Sequence, residues 1–185
     1  MSIEKYLVEH CSLTLASLKT ASLFTVSYSC EKELDRQVEY WNKLLFEKGV
    51  LLFVLKKKNK KALVYVCRQN MLESILAQES VFQFLKKFGY ESSEFYCALN
   101  RLKYRLETTD CFPHEIGVFL GYPLADVVGF IENCGKNHKC LGCWKVYSDE
   151  DDTLKLFKKF EKCNRVYQKL WNCGRTVSQL TVALK

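Results

Sequence analysis

Two short apolar runs, Val50-Leu51-Leu52-Phe53-Val54-Leu55 and Ala62-Leu63-Val64-Tyr65-Val66-Cys67, flank the basic stretch Lys56-Lys57-Lys58-Asn59-Lys60-Lys61. Runs of this length, rich in β-branched and aromatic residues and separated by a polar turn, predict a β-hairpin with a basic tip. Alternation over residues 22–28 predicts a further strand. Elsewhere the helical period dominates. Ser29 reads as an N-cap with Glu31 and Glu33 in the first turn, and Leu34, Val38, Trp41 and Leu45 then share one face up to a stop at Gly49. A helical stretch over residues 70–88 ends at Gly89, and Ser92 or Ser93 starts another with Phe95, Leu99, Leu102 and Leu106 as its apolar stripe. Residues 143–147 read as a last strand. Ser148 with Asp151 forms a capping box for a long helix carrying Leu154, Phe157, Phe160, Tyr167 and Leu170 up to Gly174.

Short strands and dominant amphipathic helices predict an α+β fold, a small sheet of about three to five strands including the hairpin, covered by helices. A chain of 185 residues with 48% hydrophobic and 26% charged residues suits one domain over 1–185, and its 8 Gly and 2 Pro form no linker. The start of the chain shows no secretory pattern, no apolar run approaches the roughly 18 residues of a membrane span, and no glycosylation sequon occurs. The expected location is the cytoplasm, where the ten cysteines are reduced thiols. The net charge of +7 is concentrated at the lysine hairpin, which reads as a solvated turn. A nucleic-acid surface needs aromatic platforms or more converging cations, so the sequence argues against that partner.

Three places carry candidate chemistry. In Phe112-Pro113-His114-Glu115-Ile116-Gly117-Val118-Phe119-Leu120-Gly121-Tyr122-Pro123, Pro113 suits the first position of a helix, which sets His114 and Glu115 in a first turn beside free backbone donors. Gly121 ends that helix and Pro123 restarts the chain as a helix closing near Gly135, giving two ends that accept anions. His114 there serves as hydrogen-bond donor or general base, or simply fixes a turn. A zincin helix is excluded because position 118 is Val where a second histidine ligand belongs. Near the N-terminus, Cys11 follows His10 and precedes a helix-like segment. It reads as a nucleophile if His114 supplies the base with Glu115 or Asp126 as orienter, or as a packed small hydrophobe. Cys134, His138, Cys140 and Cys143 have a spacing that a tetrahedral zinc would accept, but Cys143 leads into a strand, so no resident metal is expected. No phosphate loop or dinucleotide fingerprint names a cofactor.

The blocks His10–Phe24, Phe112–Pro123 and Gly142-Cys143-Trp144-Lys145-Val146-Tyr147 resemble the three signature blocks of the bacterial domain-of-unknown-function family 3793, found largely in clostridia and other anaerobes. The resemblance implies no established activity, substrate or cofactor. It does imply which residues stand in or beside the blocks: His10, Cys11, Lys19, Arg105, His114, Glu115, Tyr122, Lys145 and Tyr147. The family pattern has an aromatic residue where this chain has Cys143.

Three functions follow as expectations. The first is an enzyme or binding protein with an anionic small molecule at the helix starts, Cys11, His114 and Glu115 as catalytic candidates and His10, Lys19, Arg105, Tyr122, Lys145 and Tyr147 as ligand contacts. The second is a noncatalytic interaction or redox-accessory module. The third, and least favoured, is nucleic-acid binding through the lysine hairpin.

Overall fold

The computed structural model describes residues 2–109 and 111–183, so the expected span 1–185 starts and ends on residues outside the described set. The fold is α+β. The strands β1 (Ala21–Ser27), β2 (Val50–Lys58) and β3 (Lys61–Arg68) form an antiparallel sheet in the order β1-β3-β2. Asn59 and Lys60 join β2 to β3 with φ of 50° and 58°, the backbone of a tight two-residue hairpin turn. The ladder breaks register between Val54 and Lys56, so Leu55 is an extra residue on β2.

Both faces of this sheet are covered, which explains why β2 and β3 read as continuous apolar runs rather than as alternation. Leu51, Leu55, Tyr65 and Cys67 point into one core with α3 (Gln69–Leu76), α4 (Glu79–Lys86), α5 (Phe95–Thr108), α6 (Ile116–Phe119) and α7 (Leu124–Glu132). Val50, Leu52, Val64 and Val66 point into the other with α1 (Ile3–Leu15), α2 (Glu31–Leu45), α8 (Glu150–Asn172) and α9 (Val177–Leu180). A smaller cluster of Leu13, Trp144, Val146 and Phe160 lies beneath a second, two-stranded sheet, β4 (Cys140–Leu141) paired with β5 (Lys145–Val146).

Arg68, at the end of β3, ties these layers together. It is fully buried, and its guanidinium donates to the carbonyls of Thr14 (2.7 Å), Leu15 (2.6 Å), Lys48 (3.1 Å) and Val182 (2.8 Å). Backbone acceptors thus satisfy a buried cation that would otherwise be costly, and burial lowers its pKa.

Several local expectations shift. The predicted helix over 70–88 is two helices, broken at Ala77 and Gln78, and Glu94 rather than a serine caps α5 by accepting from Cys97 N at 2.7 Å. The cap of α2 is Cys30, one residue past Ser29, and makes no side-chain bond. Asp149 caps α8 by accepting from Asp152 N at 3.1 Å, in place of the expected Ser148. The expected strand over 143–147 shortens to β5, since its partner β4 has only two residues. His10 and Cys11 do not precede a helix. They lie within α1 itself, whose burial of Ile3, Leu7, Val8, Cys11 and Leu15 makes the segment a core helix.

Candidate functional site

A cavity of about 320 Å³ lies between α6, α7 and the β4–β5 hairpin. Its apolar walls include Ile116, Leu120, Val127, Phe130 and Trp144, and Phe112, His114 and Lys145 bring polarity and exposed edges to its lining. Local sequence sets the shape. Gly121, with φ of 77°, ends α6, with Tyr122 N donating to Gly117 O at 3.0 Å, and Pro123 restarts the chain as the N-cap of α7. Gly117 lets α6 approach α7, since a Cβ there would stand 2.8 Å from Val127 Cγ2 and 3.3 Å from Tyr122. Gly142 presses the hairpin onto α8, because a Cβ on it would come within 2.2 Å of the Phe157 ring.

The wall is held by an aromatic stack. Tyr122 and Trp144 lie with ring centroids 4.8 Å apart and planes 27° apart, and Phe157 meets the indole edge-on at 4.7 Å. Beneath the stack, Asp126 is 2% exposed and accepts from Trp144 Nε1 at 2.7 Å, Tyr147 N at 2.8 Å and Ser148 N at 2.8 Å. Burial alone would raise its pKa, but these three donors hold the carboxyl below its usual range. Asp126 is therefore an anchor for the β5 segment, and its carboxylate is committed there rather than to orienting a histidine.

The structure brings together part of the predicted residue set. His114 is exposed at the mouth, edge-on to Phe130 at 4.9 Å and beside Phe112 at 6.4 Å. It occupies a turn before α6, which is only four residues long, so it does not sit in a helix's first turn as expected. Lys145 lines the pocket, donates to Gly135 O at 2.7 Å and lies 5.7 Å from the Phe130 centroid. Lys19 is half-buried behind the wall, with Nζ 5.0 Å from the Tyr122 centroid. Burial lowers the Lys19 pKa, against the opposing pull of Cys143 and Cys11. Tyr122 is part of the lining, and its hydroxyl faces the Cys143 carbonyl at 3.4 Å.

The others are placed elsewhere. Cys11 is 0% exposed, packed among the apolar residues of α1 and the sheet, and burial pushes its thiol far up despite Lys19. It does not line the pocket with His114, so the proposed thiol–imidazole pair does not form, and Cys11 is a core residue. Glu115 is 1% exposed and forms an ion pair with Arg105, with Tyr90 Oη 3.4 Å away as a further donor. The sequence placed both beside a ligand, but each is consumed by the other, and Arg105 also covers the Phe88 ring at 5.3 Å. His10 stands exposed on α1, its ring 5.8 Å from Tyr6 and 6.2 Å from Phe24. Tyr147 is half-buried, its hydroxyl donating to Lys136 O at 2.9 Å. Among the described residues, no three His, Cys, Asp or Glu side chains converge into a metal-binding group.

Residues 7–181 match the model of a family described as protein of unknown function, DUF3793. The chain belongs to the DUF3793 family. Two of the three blocks that carried the resemblance, Phe112–Pro123 and Gly142–Tyr147, supply most of the DUF3793 pocket lining, and the first reaches it through Leu13 under Trp144 and Lys19 over Tyr122. No curated protein and no solved structure matches this DUF3793 chain. The residues that sequence reasoning missed in the site are Trp144, Phe130 and Phe112. The apolar spacing of α7 carried a signal for Phe130, whereas the pairing of Trp144 with Asp126 spans 18 residues and left none.

Proposed function

We propose that this protein binds a small molecule with a flat apolar body and an acidic group, seated between α6, α7 and the β4–β5 hairpin. The observation that carries the reading is a preformed, largely apolar pocket with aromatic walls and a few polar side chains, His114 and Lys145 among them, in its lining. Sites of this build take most of their affinity from apolar contact and their orientation from a few polar groups. Asp126 also lines the pocket, but its oxygens already accept from Trp144, Tyr147 and Ser148, so the charged group left to meet a ligand is the Lys145 ammonium, which suits an acidic group. Binding is a better reading than thiol catalysis, because the proposed nucleophile is buried and its thiol is held protonated.

The setting that suits this reading is a reducing cytoplasm, in which Cys30, Cys97, Cys111, Cys134 and Cys173 stand exposed as free thiols. Among the described residues no helix is long and apolar enough to cross a membrane. Anilinonaphthalene sulfonate, an aromatic anion that brightens on entering apolar sites, tests the proposal. Saturable binding should slow alkylation of Cys143, which lines the pocket, while leaving Cys173 labelling unchanged. Lys145→Gln should weaken the probe by about 1 kcal/mol, close to fivefold. Cys143 labelling that ignores a saturating probe refutes the reading.

A further inference from the structure

A second depression, of about 420 Å³, adjoins the first. It lies along the turn end of the lysine hairpin, where Lys56, Lys58 and Lys61 line it together with Thr25 and Asn59, and its lining contains no carboxylate. Phe112 lines both depressions and is 51% exposed, so the apolar pocket and the basic one meet at a single aromatic side chain. The lysines differ in how they are used. Lys57 turns away to pair with Asp35 at 2.9 Å and Glu31 at 3.8 Å, and Lys56 donates to the Leu106 carbonyl. Lys58 and Lys61 face each other across the β2–β3 ladder and enter no ion pair among the described residues. Two like charges opposite each other on a ladder are unfavourable unless an anion lies between them.

Resting on the pocket reading above, we propose that the ligand is elongated, an aromatic body in the apolar pocket joined past Phe112 to a phosphoanhydride tail held by Lys58 and Lys61. A phosphate chain is the tail that fits best, since it carries several acceptor oxygens and more than one charge, and lysine binds phosphate as a point charge without a fixed fork geometry. A single carboxylate at the end of a short body would be met by Lys145 alone and would leave the hairpin cations unanswered. The arrangement also accounts for the exposure of Phe112, whose ring forms the bridge between an apolar compartment and a charged one.

The test uses two probes that differ only in the tail, methylanthraniloyl-adenosine and methylanthraniloyl-ADP, followed by fluorescence anisotropy with Cys143 alkylation as the reporter of pocket occupancy. Both probes should protect Cys143, and the diphosphate should bind tighter by about tenfold or more, an advantage that shrinks as salt is raised. In the Lys58→Gln, Lys61→Gln double variant the two probes should bind equally, with the adenosine probe unchanged from the native protein. These lysines are exposed and outside the core, and an unaltered melting temperature checks that the double variant folds. If the diphosphate gains nothing in the native protein, or keeps its advantage in the double variant, the tail assignment is wrong and the apolar pocket stands. If neither probe protects Cys143, the pocket reading falls with it. Displacement of the diphosphate probe by duplex DNA, with Cys143 left unprotected throughout, would make the hairpin a nucleic-acid contact and overturn the inference.

Discussion

The indole Nε1 of Trp144 donates to Oδ2 of Asp126 at 2.7 Å, while Oδ1 of the same carboxylate accepts from the amides of Tyr147 and Ser148 at 2.8 Å each. One buried side chain on α7 thus positions the pocket's central aromatic ring and fixes the segment between β5 and α8. Asp126→Asn should destabilise the protein by about 2–3 kcal/mol, since the amide keeps one oxygen acceptor but turns an NH₂ toward a donor. Chemical denaturation measures the loss. The probe should lose affinity as well, because the Trp144 ring no longer has a fixed plane.

The same carboxylate gives a pH dependence with a definite sign. Its folded pKa lies below the unfolded value, so it stabilises the fold fully above the unfolded carboxylate range near about 3.9, and that contribution disappears as pH falls through the lower folded value. Asp126→Asn should therefore flatten the acid side of the stability profile. An unchanged acid limb in the variant would mean that other carboxylates dominate acid unfolding.

Glu115 and Arg105 make a second partnership whose meaning is structural. Removing the carboxylate leaves a guanidinium that is only 19% exposed without its counter-charge, so Glu115→Ala should cost about 3–5 kcal/mol. Replacing both residues by apolar ones of similar volume should cost much less. Thermal melts of the single and double variants measure this, and probe binding to the double variant separates it from a ligand-binding role: a structural pair leaves the probe bound, whereas a ligand-binding pair loses it.

The elements and the site were legible to different degrees. The hairpin, the stripes of α2 and α5 and the stops at Gly49, Gly89, Gly121, Gly135 and Gly174 followed from the chain because they rest on local chemistry, and all five glycines have positive φ, between 72° and 87°. The α1 helix was missed because its apolar face carries Cys11, Ser12 and Thr14, buried residues that do not advertise a core stripe. The site was half legible. Special backbone residues marked the turn at Pro113 and Gly121, but the same marks made Glu115 look like a ligand contact when it is an internal ion pair. Whether a titratable side chain faces a cavity or a buried partner depends on long-range packing, and Arg68, buried against four carbonyls from three segments, left no trace in local pattern.

The thiols separate on the same grounds. Cys11 should resist alkylation in the native protein, because burial both blocks access and holds the thiol protonated. Cys143 is exposed and should react, but with a pH midpoint above that of an ordinary thiol. Partial burial raises its pKa, Lys19 works against that rise, and Glu161 adds to it. Lys19→Met should thus move the Cys143 midpoint further up. Peptide-resolved mass spectrometry of iodoacetamide labelling across pH measures both, and rapid native labelling of Cys11 would contradict the packing described.

The hairpin turn stores strain that a single substitution can release. Asn59 and Lys60 both have positive φ, 50° and 58°, a conformation that asparagine tolerates and that costs a lysine about 1 kcal/mol relative to glycine. Lys60→Gly should therefore stabilise the protein by no more than about 0.5 kcal/mol, after the greater chain entropy of glycine in the unfolded state has taken its share. Lys60 does not line the basic depression, whereas Lys58 and Lys61 do, so the substitution removes a charge from the tip without removing either lysine assigned to the phosphate tail. The melting temperature should rise slightly while the preference for the diphosphate probe falls only modestly, by the loss of one neighbouring charge that does not line the depression. A collapse of that preference in Lys60→Gly would show that Lys60, rather than Lys58 and Lys61, holds the anion.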